Sequence, residues 1–162
     1  MKRAALFAAL LWRSASLADE ISGLVISVSD GDTLKILTAE VEQVTVRLSG
    51  IDAPEKAQAF GNASKKALVA AAHKKQAIVH WDKRDRYGRI VGRVMVDGQD
   101  VNLQQIVAGL AWHYKRYESE QPPEERAAYA QAEEAARAAG AGLWADPEPV
   151  PPWEFRKKDS AK

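Results

Sequence analysis

The sequence of 162 residues holds no cysteine, which excludes thiolate zinc sites, iron–sulfur clusters, disulfide scaffolds and a cysteine nucleophile. Any metal must therefore bind oxygen or histidine. An excess of one charge is missing too. With 23 Lys and Arg against 22 Asp and Glu, bulk charge gives no argument for nucleic acid, and an anion-binding surface has to be a local patch. What is present, 46% hydrophobic and 28% charged residues, is the chemistry of one globular domain with a real core. A disordered chain, a collagen or a coiled coil would look different.

Long apolar runs are absent except at the start. Lys2 and Arg3 precede an apolar stretch from Ala4 to Trp12, too short to span a bilayer, and small residues follow as far as Ser16-Leu17-Ala18. This outline is a secretory signal peptide over residues 1–18, cleaved after Ala18, so an exported, periplasmic or secreted protein is expected, with no membrane attachment after cleavage. The cut removes Lys2, Arg3 and Arg13 and no acid, taking 23 basic residues to 20 against 22 acidic. Local basic patches remain at Lys83–Arg89 and His113–Tyr117, while acids gather in Glu118–Glu134.

Two textures follow. Between Ile21 and Leu48 apolar residues alternate: Leu24, Ile26 and Val28, then Leu34 and Ile36, then Val44, Val46 and Leu48. Three antiparallel strands are predicted, with turns at Asp30-Gly31-Asp32 and near Ala39–Glu42. A helix is predicted over Asn62–Lys75, with Leu68, Ala71 and Ala72 on one side, then strands at Ala77–Trp81 and Ile90–Val96. Leu103, Ile106, Val107 and Leu110 carry helical spacing. A last, alanine-rich helix starts near Pro122-Pro123, places Glu124 and Glu125 in its dipole-favoured first turn, and stops at Gly140. Five short strands with one helix inserted after the third, and no right-handed βαβ repeat, predict an α+β chain: a closed five-stranded barrel of OB type with about three α-helices. The domain spans residues 19–146, and 147–162 reads as a proline-rich, charged tail.

Asp30-Gly31-Asp32-Thr33 taken alone is a hairpin turn, since Asp and Gly are what such turns demand. Two carboxylates in one tight turn also suit a hard cation. A second acidic centre follows Arg47, whose parity is opposite to Val46 and Leu48 and turns it away from the barrel core. Gly50 and Pro54 break the strand and put Asp52 and Glu55 on a loop at its end. The third element is Arg86-Tyr87-Gly88-Arg89, a basic hairpin tip.

In order and spacing these residues resemble the thermonuclease, or staphylococcal-nuclease-like, family. The resemblance runs from Ile21 to Trp144 and rests on Asp-Gly-Asp-Thr at 30–33, Arg47 through Asp52-Ala53-Pro54-Glu55, Tyr87-Gly88-Arg89, Val101-Asn102, Gly109-Leu110-Ala111 and Leu143-Trp144. The closing Pro151-Pro152-Trp153-Glu154-Phe155-Arg156 is similar to the tail of bacterial members.

The resemblance implies a Ca²⁺-dependent endonuclease that hydrolyses phosphodiester bonds of DNA and RNA, leaving 3′-phosphate and 5′-hydroxyl ends. It implies Asp32, Asp52 and the backbone carbonyl of Ala53 as metal ligands, with Asp30 just outside the shell. Glu55 matches the residue that orients, or deprotonates, the attacking water. Arg47 and Arg89 match the pair that grips phosphate oxygens, a task for which a planar guanidinium fork is better suited than an ammonium. Arg86 and Tyr87 match contacts to the adjacent phosphate, and Lys115 and Tyr117 fall near the nucleotide site. Two positions depart from the best-known pattern: Ala53 replaces a threonine, and Lys115 a tyrosine. His113 and the tryptophans Trp81, Trp112 and Trp144 read as structural. No stable protein partner is expected, so the protein should be a monomer. Two rivals stay open, a non-catalytic OB module binding single-stranded nucleic acid and a Ca²⁺-dependent phosphoesterase for small substrates.

Overall fold

The computed structural model describes residues 19–160. The leader expected over residues 1–18, with its cleavage point, lies outside the described residues. Four strands come first: β1 (Asp19–Val28), β2 (Thr33–Leu37), β3 (Gln43–Leu48) and the two-residue β4 (Ile51–Asp52). After α1 (Gly61–Ala72) come β5 (Gln76–Arg84), β6 (Ile90–Val96) and β7 (Gln99–Asp100). The chain then runs through α2 (Val101–Val107), β8 (Trp112–His113), a 3₁₀ segment at Lys115–Glu120, α3 (Pro123–Ala138) and α4 (Pro152–Asp159).

The strands pair in the order β3-β2-β1-β5-β6, and a parallel contact between β3 and β6 closes the barrel, with Val46 opposite Ile90 and Leu48 opposite Gly92. The closed five-stranded barrel is as the alternation predicts. Its filling comes from inward residues of every strand, among them Val25, Leu34, Ile36, Val46, Leu48, Val79, Ile90 and Val94, with Leu68 of α1 and Ile106 of α2 sealing it.

One strand inverts the expected parity. Val25 is buried, and Leu24 and Ile26 are only partly so, while Val28 is again inside. A bulge between Val25 and Ser27 inserts one residue against β2, and a one-residue slip moves side chains to the other face.

Helix boundaries follow local chemistry. α1 ends three residues before the predicted Lys75, because His73 is extended and Lys74 takes φ +61°. α2 stops at Val107, not Leu110, and leaves Val107 exposed. Gly109 turns with φ +66°, where a Cβ would stand 2.1 Å from the Ala141 carbonyl oxygen. α3 begins with Pro123 in its first turn and runs to Ala138, with Gly140 (φ +61°) just beyond, close to its prediction.

α2 is pinned across the site end of the barrel by polar side chains. Asn102 donates to the carbonyls of Ser49 (2.9 Å) and Gly92 (3.2 Å) and accepts from Val94 N–H (3.1 Å). Asp100 caps the helix through Leu103 N–H at 2.9 Å and also accepts the Tyr129 hydroxyl of α3. The segment read as a proline-rich tail contains α4, with Pro152 at its start, Glu154 in its first turn and Arg156, Lys157 and Lys158 in its last.

Candidate active site

The Asp30–Asp32 turn is drawn tight by Asp30 Oδ1, which accepts the Asp32 N–H at 3.1 Å. Gly31 sits against Ser64 and Ala53, so close that a Cβ there would meet Ser64 Oγ at 1.9 Å. This packing turns Asp32 inward, to 7% exposure. Its Oδ2 accepts Ala53 N–H at 2.7 Å, and its Oδ1 accepts the Thr33 hydroxyl at 3.2 Å.

Asp52 is buried more deeply than a strand-end loop would make it, at 1% exposure. It belongs to β4, which pairs antiparallel with β8 so that Asp52 lies opposite Trp112. Glu55 follows on the turn, with its side chain 38% exposed.

Arg47 joins the two acids. It lies outside the apolar core, as its parity predicts, and Nη2 stands 3.2 Å from Asp32 Oδ2 and 3.0 Å from Asp52 Oδ1. Its Nη1 donates to the carbonyls of Leu48 (2.7 Å) and Ile51 (2.9 Å). The β2–β3 register puts Thr33 beside Arg47, and the Thr33 hydroxyl is 3.4 Å from Arg89 Nη1. The β5–β6 hairpin tip is thereby linked to the carboxylates. At that tip Arg89 Nε donates to Asp85 Oδ2 at 2.7 Å, and Asp85 Oδ1 accepts the N–H groups of Tyr87 and Arg89. Burial raises the Asp85 carboxyl, but the Arg89 bonds and the Tyr87 N–H outweigh it and hold the group below its ordinary value. Arg86 hydrogen-bonds the Tyr87 hydroxyl at 2.7 Å. A polar groove of about 510 Å³ runs from Arg89 and Tyr87 past Arg84 to Thr45 and Gln43.

Lys115 and Tyr117 are engaged with partners of their own. The Lys115 ammonium donates to the buried Glu133 carboxylate at 2.6 Å, and Tyr117 packs edge-on against Tyr114, 5.1 Å between centroids. His113 is buried and bonded to Gln121 at 2.8 Å, as a structural histidine should be. Trp112 packs against Trp144 and Trp153, and a cleft of about 320 Å³ opens beside them toward Arg116 and Lys157.

One site residue escaped the sequence reading. Arg156 of α4 donates to both oxygens of Asp52, at 3.2 and 2.8 Å, and to Glu55 Oε1 at 2.7 Å. The hydrogen bond to Asp52 raises the Arg156 pKa despite partial burial, with Glu55 adding to it. The sequence signal lay in the Pro-Pro-Trp-Glu-Phe-Arg run, but the pairing joins positions about a hundred residues apart in the chain.

Among the described residues no group of three carboxylates and imidazoles converges tightly enough to hold a metal unaided. The site does offer two short, buried carboxylates. Burial pushes Asp32 up to about 7, with Arg47 pulling the other way and Asp30 and Asp52 adding to the rise. Asp32 and Asp52 form an oxygen-only pair of short side chains, a donor set that fits a hard divalent ion once water and substrate oxygens fill its remaining positions.

Residues 45–146 match the protein family described as staphylococcal nuclease homologue. The matched stretch includes Arg47, Asp52, Glu55, Arg86 and Arg89; Asp32 precedes it and Arg156 follows it. The chain is 43% identical over 135 residues to an uncharacterized endonuclease of Haemophilus influenzae, covering 83% of this chain and 72% of that protein. It is 35% identical over 169 residues to the protein ParB of Escherichia coli, covering 99% and 93%. Over 150 residues it is 37% identical to a probable staphylococcal-like nuclease of Oryza sativa subsp. japonica, covering 90% of this chain and 44% of the plant protein.

Proposed function

The chain belongs to the staphylococcal nuclease family, and from that premise we propose that it is a Ca²⁺-dependent endonuclease cutting DNA and RNA to 3′-phosphate and 5′-hydroxyl ends. The observation that carries the reading is Arg47 seated between Asp32 and Asp52, with Arg89 one hydroxyl group away and Glu55 on the next turn. A module that only binds single strands has no use for two buried carboxylates beside its cations.

Asp32, Asp52 and the Ala53 carbonyl are the groups that would hold Ca²⁺, which supplies charge to offset the growing negative charge on the phosphate oxygens. Arg47 and Arg89 bind those oxygens, and their forks gain strength as the oxygens become more negative. Glu55 orients the attacking water and accepts its proton on the carboxylate. Arg86 and Tyr87 hold the adjacent phosphate, and the groove past Arg84 receives the rest of the strand.

The test incubates the protein with plasmid, linear single strands and RNA, under Ca²⁺, Mg²⁺ or chelator, followed by end-group analysis. Cleavage should need Ca²⁺, stop with chelator and leave 5′-hydroxyl ends. Glu55→Gln should still bind nucleic acid while its cleavage falls about 100-fold or more. Binding without cleavage by both proteins would return the single-strand-binding module, and equal turnover with Mg²⁺ would remove Ca²⁺ from the reading. Export after cleavage at Ala18 belongs to the same proposal, and N-terminal sequencing of the protein recovered from cells checks it.

A further inference from the structure

The C-terminal segment is fastened to Glu55 twice, once through its side chain and once through its backbone. The Arg156 guanidinium bridges Glu55 Oε1 and both oxygens of Asp52. Gln58 accepts the Glu55 N–H at 3.1 Å on Oε1, and its Nε2 donates to the Val150 carbonyl at 2.6 Å. The helix that delivers Arg156 is itself seated. Pro152 is buried, and the Trp153 indole stacks on Tyr114 at 5.4 Å and 14°. The same indole also packs edge-on to Trp112, the residue opposite Asp52 in the β4–β8 pair. A chance surface ion pair has neither a fork shared between two carboxylates nor an anchored stem.

We propose that Arg156 is a positioning residue for phosphodiester cleavage, fixing the Glu55 carboxylate relative to Asp52 so that α4 forms a wall of the active site. The inference rests on the reading of Glu55 as the group that handles the attacking water. Glu55 stands on a turn with its side chain 38% exposed, and left alone it would sample several rotamers. Fastening Oε1 leaves Oε2 to accept a proton from water in one fixed direction. At Asp52 the distribution of lone pairs is equally selective. Oδ1 takes Arg47 and Arg156, while Oδ2 takes Arg156 alone and keeps one lone pair open. A lysine could hold one of these oxygens but not all of them.

The test uses the full chain and compares wild type with Arg156→Ala, Arg156→Lys, Glu55→Gln and the double variant Glu55→Gln/Arg156→Ala. Plasmid cleavage under saturating Ca²⁺ gives kcat and KM separately, calorimetry follows Ca²⁺ alone, and thermal unfolding reports the fold. Arg156→Ala should lose about 10- to 100-fold in kcat with KM within about threefold, and Arg156→Lys should recover little of the loss. The double variant should be no slower than Glu55→Gln, because Arg156 acts through Glu55. Ca²⁺ alone should bind Arg156→Ala at least as tightly as wild type, since a cation has been taken from Asp52. The proposal is overturned if Arg156→Ala keeps its kcat within about threefold, if the two losses multiply in the double variant, or if Ca²⁺ binding weakens in Arg156→Ala. A wild type that cuts no nucleic acid, or a Glu55→Gln variant at full rate, instead fells the functional reading, and the positioning role with it.

Discussion

Gln105 donates from Nε2 to the Gly31 carbonyl at 2.7 Å, so α2 holds the turn that carries Asp32. The same amide group reaches the Ser64 carbonyl at 3.0 Å and its hydroxyl at 3.1 Å, tying α1 to that turn as well. Gln105 is buried. Gln105→Leu fills similar space but leaves buried acceptors without donors, a loss on the order of 1–3 kcal/mol. Urea unfolding should show the loss, and cleavage should fall along with it because Asp32 is no longer fixed. Unchanged stability would mean that water takes over the amide's bonds.

The two arginines should respond differently to replacement by lysine. Arg47 is bonded to the carboxylates of Asp32 and Asp52 and to the carbonyls of Leu48 and Ile51, and no ammonium can reach them all. Arg89 is more exposed and its structural bond is to Asp85. Each substitution should reduce kcat on the order of 100- to 1,000-fold, while Arg47→Lys alone also lowers the melting temperature. A cleavage rate within a few-fold of wild type for Arg89→Lys, with the fold intact, would make the hairpin tip an ordinary charged turn.

The Asp85–Arg89 clip carries a pH signature. Because the folded Asp85 pKa lies below its unfolded value of 3.8, the folded state holds fewer protons, and the clip stabilises the fold fully above that value. Its contribution is lost as pH falls through the folded pKa. Both side chains are partly exposed, so the contribution is under about 1 kcal/mol. Asp85→Asn should therefore be slightly less stable than wild type at pH 7, with the gap closing below pH ~3.8. It should also cut more slowly at pH 7, since Arg89 is no longer aimed. A stability gap that widens in acid would reverse the assignment.

How far these features were legible differs from element to element. The barrel strands, the Asp30–Asp32 turn and the two ends of α3 follow from local alternation and capping, and they stand within a residue or two of where the sequence put them, except that β5 runs three residues past the expected Trp81 to Arg84. The β1 parity did not, because a bulge is a register decision made against the partner strand and leaves no local mark. The sequence places Asp52 on a strand-end loop, because its burial depends on β8, some sixty residues downstream. α4 had readable signals, with Pro152 at its start, Glu154 in its first turn and basic residues in its last. The flanking prolines drew attention to an exit instead. That Arg156 reaches Asp52 is a tertiary fact, and no periodicity within the tail encodes it.

Lys115 offers the sharpest separation between a group that meets substrate and one that serves the fold. Glu133 has a side chain only 4% exposed, and it accepts the His113 N–H at 3.1 Å and the Lys115 ammonium at 2.6 Å, with Arg137 farther off at 3.5 Å. Of the two cations on this enclosed carboxylate, Lys115 is the nearer. If its work is to neutralise Glu133, Lys115→Ala should cost under about 1 kcal/mol of stability, because the ammonium is itself more than half exposed. Glu133→Ala should cost more, about 1–3 kcal/mol, since it strands the buried His113 N–H. Nucleic-acid affinity measured against salt then decides the matter. Removing a cation that sits on a phosphate lowers the slope of log affinity against log salt by about 1. The expected result for Lys115→Ala is an unchanged slope with a lower melting temperature, whereas Arg86→Ala should lower the slope and leave the melting temperature alone. A reduced slope for Lys115→Ala would show that the ammonium leaves Glu133 for a phosphate when nucleic acid binds.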